Sequence, residues 1–288
     1  MAEISASAVM KLRGMTGQGM MDCKKALEES GGDVEQAVII LRKKGLATLA
    51  KRAERETREG LVVSKKNADG KTCALASLCC ETDFVARSDD FIAAAKTLAD
   101  YTLVCPADEG ADNILETSIN GRKFGEILTE TVSKTGEKMQ VGDYARYKID
   151  GPGLIGIYVH FNDKVGSMVQ IETDSDNTAG TDVLKRTAAD IAMHVTATKP
   201  LSLDKSAVSS QIIEQEKAIA AEQVKNKPAN IIDKIVEGKL KKFFAENCLV
   251  EQQFVKDDTK TIAQVMDEAA KQAGGTAKIK RFVRFGVG

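Results

Sequence analysis

The hydrophobic period changes near Gly60, and that change limits the fold more than any other feature of the chain. Up to residue 45 the apolar residues recur at helical spacing: Val9 and Leu12, then Cys23, Ala26 and Leu27, then Val34, Ala37, Val38 and Leu41. After Gly60 the runs Leu61-Val62-Val63 and Cys73 to Cys80 read as paired strands across the turn-rich Asn67-Ala68-Asp69-Gly70. A helical opening followed by strands and helices grouped in sequence predicts an α+β fold, not a doubly wound parallel sheet. A length of 288 residues suggests about two domains with cores of ordinary size.

Residues 1–45 are expected to form a small three-helix domain. Ile4, Ser5 and Val9 suggest an N-cap with a hydrophobic staple, and Asp33 with Gln36 suggests a capping box. Gly14 to Gly19 and Ser30-Gly31-Gly32 break the helices, and Gly45 is read as the C′ residue of the third. Residues 46–59 read as a charged, partly helical linker. Residues 60–150 then form a first α+β unit, with helices near 88–103 and 122–135 and a strand from Asp143 to Ile149. Residues 151–288 form a second α+β unit after the Gly151-Pro152-Gly153 break. It holds a hairpin of strands 155–161 and 165–171, a helix over about 181–198 stopped by Pro200, a helix near 259–273 and a closing strand from Arg281 to Val287. Within it, helices over about 204–225 and 229–245 flank Lys227-Pro228. Ile232, Val236, Leu240 and Phe244 recur every fourth residue, which predicts an antiparallel helical hairpin.

Charge and composition narrow the function. With 41 Lys+Arg against 42 Asp+Glu, nothing global attracts nucleic acid, and direct nucleic-acid binding is not expected. No run of 18 apolar residues suggests a membrane span, and the opening MAEISASAVMKLRG lacks the pattern of a secretory signal. The six cysteines form no disulfide pattern, so a reducing, cytoplasmic setting is expected. Adjacent Cys79 and Cys80 on a strand would point to opposite faces.

Motifs for catalysis and cofactors are weak. There is no phosphate-binding G-x-x-x-x-G-K-[ST] loop, and Gly17-Gln18-Gly19 follows a helix and lacks a third glycine at the right spacing. A metal site would have to combine Cys73, Cys79 or Cys80 with one of only two histidines, His160 and His194; small buried thiols are the simpler reading. The same residues could be drawn as a cysteine nucleophile and its base, but no local signature supports it. No catalytic residue, metal or cofactor is expected.

Three other features admit two readings each. Met20 and Met21 read either as core, for at least one of them, or as contact surface: they diverge by about 100° on a helix and a bundle this small can hardly bury both, so one faces out toward a partner. Phe84, in Thr82-Asp83-Phe84-Val85, either folds back into the core or stands out as an aromatic wedge. His160, on an alternating strand, reads from its surroundings alone as a structural polar residue.

These stretches together resemble the elongation factor Ts family. The resemblance rests on Leu12-Arg13 to Thr16-Gly17 and Gly19 to Leu27, then Gly32-Asp33 with Ala37 and Leu41-Arg42-Lys43. The string Thr82 to Ala86 resembles the family's central signature, and Tyr158-Val159-His160 with Gly166 its hairpin motif. Ile191 to Val195, Lys199-Pro200, Glu237 to Phe244, Gln253 to Asp257 and Phe282 to Phe285 follow in order. Two departures stand out: Gly166-Ser167-Met168-Val169 replaces the usual valine–leucine run, and little is recognisable between the Phe84 helix and Pro152. Some members also carry a C-terminal helical module that holds the partner, and this sequence ends at Gly288.

The resemblance implies a non-enzymatic exchange factor that promotes GDP release from elongation factor Tu. The N-terminal helices would resemble a ubiquitin-associated fold, with Arg13, Met20 and Met21 as contact residues. Thr82, Asp83, Phe84 and Val85 would form the segment that enters the partner near its magnesium and phosphate site. His160 would face another domain of the partner, and the helical hairpin would serve partner contact or self-association, as a homodimer or a two-to-two complex. The alternative is a ubiquitin-associated-type adaptor for some other protein, which has no use for the Thr82–Val85 segment.

Overall fold

A computed structural model describes residues 4–224 and 228–288. In chain order, helices α1 (Ala6–Thr16), α2 (Met20–Glu29) and α3 (Val34–Lys51) precede strands β1 (Glu59–Lys66) and β2 (Thr72–Cys80). Next come α4 (Asp83–Ala86), α5 (Asp89–Val104), α6 (Ala111–Glu116), β3 (Ser118–Ile119), β4 (Arg122–Lys123), α7 (Phe124–Thr135) and β5 (Met139–Lys148). The chain continues through β6 (Gly153–Val159), β7 (Val165–Thr173), α8 (Asp176–Ala179), α9 (Asp182–Thr198), α10 (Ser210–Glu222) and α11 (Ala229–Asn247). It ends with β8 (Gln253–Phe254), β9 (Asp257–Thr261), α12 (Ile262–Gln272) and β10 (Ala277–Gly286). Helix and sheet are mixed as expected of an α+β protein, and every strand pair is antiparallel.

Two three-stranded sheets, ordered β1-β2-β5 and β10-β7-β6, carry the architecture. Strand alternation sends Ala74, Ala76, Leu78 and Cys80 toward α5 and α7, where Phe91, Leu98, Phe124 and Val132 close a core. The opposite face of β2, with Cys73 and Leu75, meets Ile155 and Met168 of the second sheet. Val169 and Ile171 on the far side of that sheet meet α9 and α12 through Leu184, Ile191 and Met266. The layers therefore run helices, sheet, sheet, helices. Cys79 and Cys80 do lie on opposite faces of β2, because both belong to one regular strand.

The local signals account for most boundaries. The Ser5 hydroxyl accepts from Ala8 N and the Asp33 carboxylate from Gln36 N, so both N-caps form, but the expected capping box is only half made because Asp33 N donates to Ser30 O instead of to Gln36. Several edges differ from the sequence expectation. Thr261 and Gln264 form a reciprocal capping box, so α12 starts at Ile262 and the residues before it pair as β9. Asn120 and Gly121, both at positive φ, turn the small β3–β4 hairpin that precedes α7. Asp204 caps a separate short turn at Lys205–Ala207, so α10 begins only at Ser210. α10 and α11 lie side by side, with Ile232, Val236, Leu240 and Phe244 half-buried; the Lys227 turn lies outside the described residues.

Gly45 is not a C′ residue. α3 continues through it to Lys51. A β-carbon there would lie 2.4 Å from the Thr129 carbonyl and 2.9 Å from its methyl on α7, so the glycine permits two helices to cross closely. Gly156 plays the same part between β6 and α9, where a β-carbon would sit 2.2 Å from the Ala188 carbonyl. Because both obstacles are backbone, Gly156→Val must push α9 away from the second sheet. We expect a loss of about 3 kcal/mol in urea unfolding; an unchanged midpoint would show that the layer spacing is soft.

Candidate functional site

The central segment begins where β2 leaves the first sheet. Glu81, the residue after the strand, accepts two 2.8 Å hydrogen bonds from the Arg52 guanidinium and a 2.7 Å bond from Lys138 N. Arg55 adds a contact at 3.4 Å. Burial by itself pushes the Glu81 carboxyl upward, but the Lys138 N–H and the two arginines outweigh it, and the group is held below the ordinary glutamate range. Thr82 is held by a second carboxylate: its N–H and hydroxyl both donate to Glu137, at 3.1 and 2.7 Å. The Thr82 hydroxyl in turn accepts from Val85 N and caps the short α4.

This bracing dictates where the next side chains go. Val85 and Ala86 turn inward against the helix-side core. Asp83, at the start of α4, pairs with Arg87 at 3.1 Å on the surface. Phe84 is left pointing out, 84% exposed. Of the two readings of Phe84, the structure takes the exposed one: the inward directions of the turn are already filled by Val85 and Ala86.

On the N-terminal helices, Arg13, Met20 and Met21 are all exposed. The bundle buries neither methionine, so the core reading of at least one of them does not hold, and the outward reading holds for both. Its core is complete with Val9, Leu12, Cys23, Ala26, Leu27, Ala37 and Leu41, leaving Met20 42% and Met21 62% exposed. Met10 and Met15 on α1 are exposed too, so the surface of the bundle carries several flexible apolar side chains.

His160 lies just past the end of β6. It is half-buried, with Nδ1 3.0 Å from the Tyr158 hydroxyl. Its ring centre lies 4.4 Å from that of Phe161, tilted by 47°, and Phe161 is 89% exposed at the hairpin tip. The tip is rigid: Asp163 O accepts from Val62 N at 2.6 Å and Lys164 Nζ pairs with Glu59 at 2.6 Å. Sequence reasoning passed over Phe161, although an aromatic residue directly before the turn residues Asn162-Asp163 offered the signal.

Comparison with known proteins gives this arrangement a setting. The family model described as elongation factor Ts matches residues 81–288. The chain is 42% identical over 287 residues to the elongation factor Ts of Nitratiruptor sp., covering 99% of this chain and 93% of that protein. It is 42% identical over 294 residues to that of Chlorobium phaeobacteroides, with 100% of both covered. With that of Nautilia profundicola the identity is 43% over 292 residues, covering 100% and 94%. The chain belongs to the elongation factor Ts family. Its role is therefore that of a translation elongation factor in protein biosynthesis.

The cysteines and His194 of this chain are packed side chains. All six thiols are free and buried. Burial pushes Cys73 up to about 11 and, with Glu137 nearby, Cys80 up to about 12; it raises Cys79 as well. That is the reverse of an activated nucleophile. His194 is engaged elsewhere, with Nε2 2.9 Å from Gln252 Oε1 and Nδ1 accepting from Val255 N. Burial lowers its pKa. Among the described residues, no three His, Cys, Asp or Glu side chains gather as a metal site, and no helix is long and apolar enough to cross a membrane.

The Glu81 shift has a consequence for acid stability. A carboxyl whose pKa is depressed by folding stabilises the protein above its unfolded value, about 4.3, and that contribution is lost as pH falls through the folded value. We expect Glu81→Gln to be less stable at neutral pH and to lose less stability than the parent between about pH 5 and about pH 3. Urea titrations across that range check it; parallel curves for the two proteins would mean that Glu81 titrates alike in both states.

Proposed function

We propose that this chain binds elongation factor Tu in its GDP form and speeds GDP release by stabilising the nucleotide-free GTPase. The observation that carries this reading is Phe84: a large apolar ring, 84% exposed, held out on a turn braced by Glu81 and Glu137. An exposed aromatic side chain on a rigid, preorganised mount is the makeup of a binding hot spot, since little conformational freedom remains to be lost on docking. Asp83 beside it supplies a carboxylate where the partner holds magnesium and phosphate.

The mechanism is a thermodynamic coupling. A protein that favours the nucleotide-free conformer weakens nucleotide binding by the same factor by which nucleotide weakens its own binding. It needs no catalytic group, and we read the chain as a cytoplasmic binding protein, not an enzyme. The exposed Arg13, Met20 and Met21 form a second contact on the GTPase domain, carried by a ubiquitin-associated-like bundle. His160 with Phe161 forms a third, on another domain of the partner. The α10–α11 hairpin projects half-buried apolar residues that suit self-association or further partner contact.

Stopped-flow release of fluorescent GDP from elongation factor Tu tests the reading. The chain has no tryptophan, so any tryptophan signal belongs to the GTPase. Release should accelerate by orders of magnitude with the parent. Phe84→Ala should lose about 2 kcal/mol or more of partner binding, while its own stability stays within about 0.5 kcal/mol of the parent because the ring is exposed. No acceleration with a matched partner would move the adaptor reading to the front. A Phe84→Ala variant that unfolds would return the ring to a structural role.

A further inference from the structure

α3 joins the two surfaces assigned above. Its N-terminal half closes the core of the N-terminal helices through Ala37 and Leu41. Its C-cap, Arg52, donates from one guanidinium nitrogen to both carboxylate oxygens of Glu81, the residue directly before Thr82. The helix has 18 residues, a span of about 27 Å. Charged residues in this stretch would ordinarily be solvated, and a surface ion pair contributes little. Glu81 is different: its side chain is only 9% exposed and also holds Lys138 N, so the carboxylate that Arg52 meets is itself fixed in place.

The middle of α3 is fixed too. Glycine is the poorest helix former after proline, so Gly45 within the helix calls for a reason. The close crossing with α7 supplies it, since backbone and side chain of Thr129 and the Ser133 β-carbon occupy the space that any side chain would need. Beside the crossing, Ser133 Oγ donates to Leu41 O at 3.1 Å and meets Gln18 Oε1 at 3.3 Å. Gln18 Nε2 donates to Glu130 O at 3.3 Å, and Gln18 is 3% exposed. These bonds are buried and directional. They tie the α1–α2 turn, which leads into Met20 and Met21, to the same face of α7.

We infer that α3 is a rigid strut holding the Met20/Met21 surface at a set distance and angle from Phe84, with Gly45 and the Arg52–Glu81 pair as its fixed points. Gly45, Gln18 and Arg52 are then positioning residues. They touch no partner, but they let the second surface engage as soon as the first has docked, at a high effective concentration. The inference rests on the proposed exchange function for its consequence, though not for the strut itself.

Two readouts separate these. Nitroxide labels at Lys25→Cys and Lys96→Cys, both exposed positions on α2 and α5, can be attached selectively because the native thiols are buried. Pulsed dipolar spectroscopy on the full chain should give one narrow distance in the parent and a broadened or shifted one in Gly45→Leu. A broad distribution in the parent, or one unmoved by Gly45→Leu, overturns the strut whatever the protein binds. In GDP-release assays, Met20→Ala/Met21→Ala should raise the half-saturating concentration at least about tenfold in the parent and have little further effect in Gly45→Leu. An equal effect in both backgrounds overturns the positioning role. Arg52→Ala removes the pair with Glu81 and should act like Gly45→Leu, more weakly. Should Gly45→Leu fail to fold, Gln18→Ala/Ser133→Ala takes its place in both assays. If the parent releases no GDP, the exchange reading fails and the distance measurement alone decides the strut.

Discussion

Strand β2 is buried on both faces, and the rest of the molecule is arranged around that fact. One face supplies Ala74, Ala76, Leu78 and Cys80 to the helical layer, and the other supplies Cys73 and Leu75 to the contact between sheets. Its backbone pairs with β1 on one side and β5 on the other. The register with β5 shifts between Ala76 and Leu78, where Ser77 Oγ accepts from Asp143 N, and Gly142 alone fits opposite, since a β-carbon there would lie 2.5 Å from that hydroxyl. A strand so enclosed cannot shift without moving two cores. The segment that leaves its end therefore starts from a fixed point.

That fixed point is what makes the exposed Phe84 meaningful. Apolar side chains scattered on a surface need no explanation. Here the turn that carries the ring is braced by two carboxylates, Glu81 and Glu137, whose hydrogen bonds are spent on holding it in shape. The chain commits buried charge and a helix cap to keep an aromatic side chain in water. Preorganisation of this kind lowers the ordering cost of binding. The hairpin tip repeats the device with different parts: Lys164 and Asp163 anchor it to β1, and His160 and Phe161 stand beyond.

Much of the fold was legible from local signals. Ser5 and Asp33 caps, the Asn67–Gly70 turn, the hairpin around Asn162-Asp163, the stop at Pro200 and the fourfold spacing in α11 are set by residues within a few positions of one another. The misses share a cause as well. By its sequence context Gly45 reads as a helix end, because glycine usually ends helices, yet the reason for it lies on α7, more than eighty residues along the chain. The Asn120-Gly121 hairpin was overlooked even though its turn chemistry is local.

The candidate site divides in the same way. The residues themselves, Arg13, Met20, Met21, Thr82 to Val85 and His160, were named from motif and resemblance. Their exposure was not readable. Whether Phe84 points in or out depends on whether the inward space is already taken by Val85 and Ala86, and both methionines face water because seven other residues already fill the bundle. Arg52 and Glu81, 29 positions apart, meet only after the sheet and α3 have both formed. By itself the sequence determined secondary structure, caps, turns and family, because those follow from short-range periodicity and stereochemistry. The tertiary structure alone decided which apolar side chains remain outside and how α3 is braced, because burial is a competition for space among residues distant in the chain.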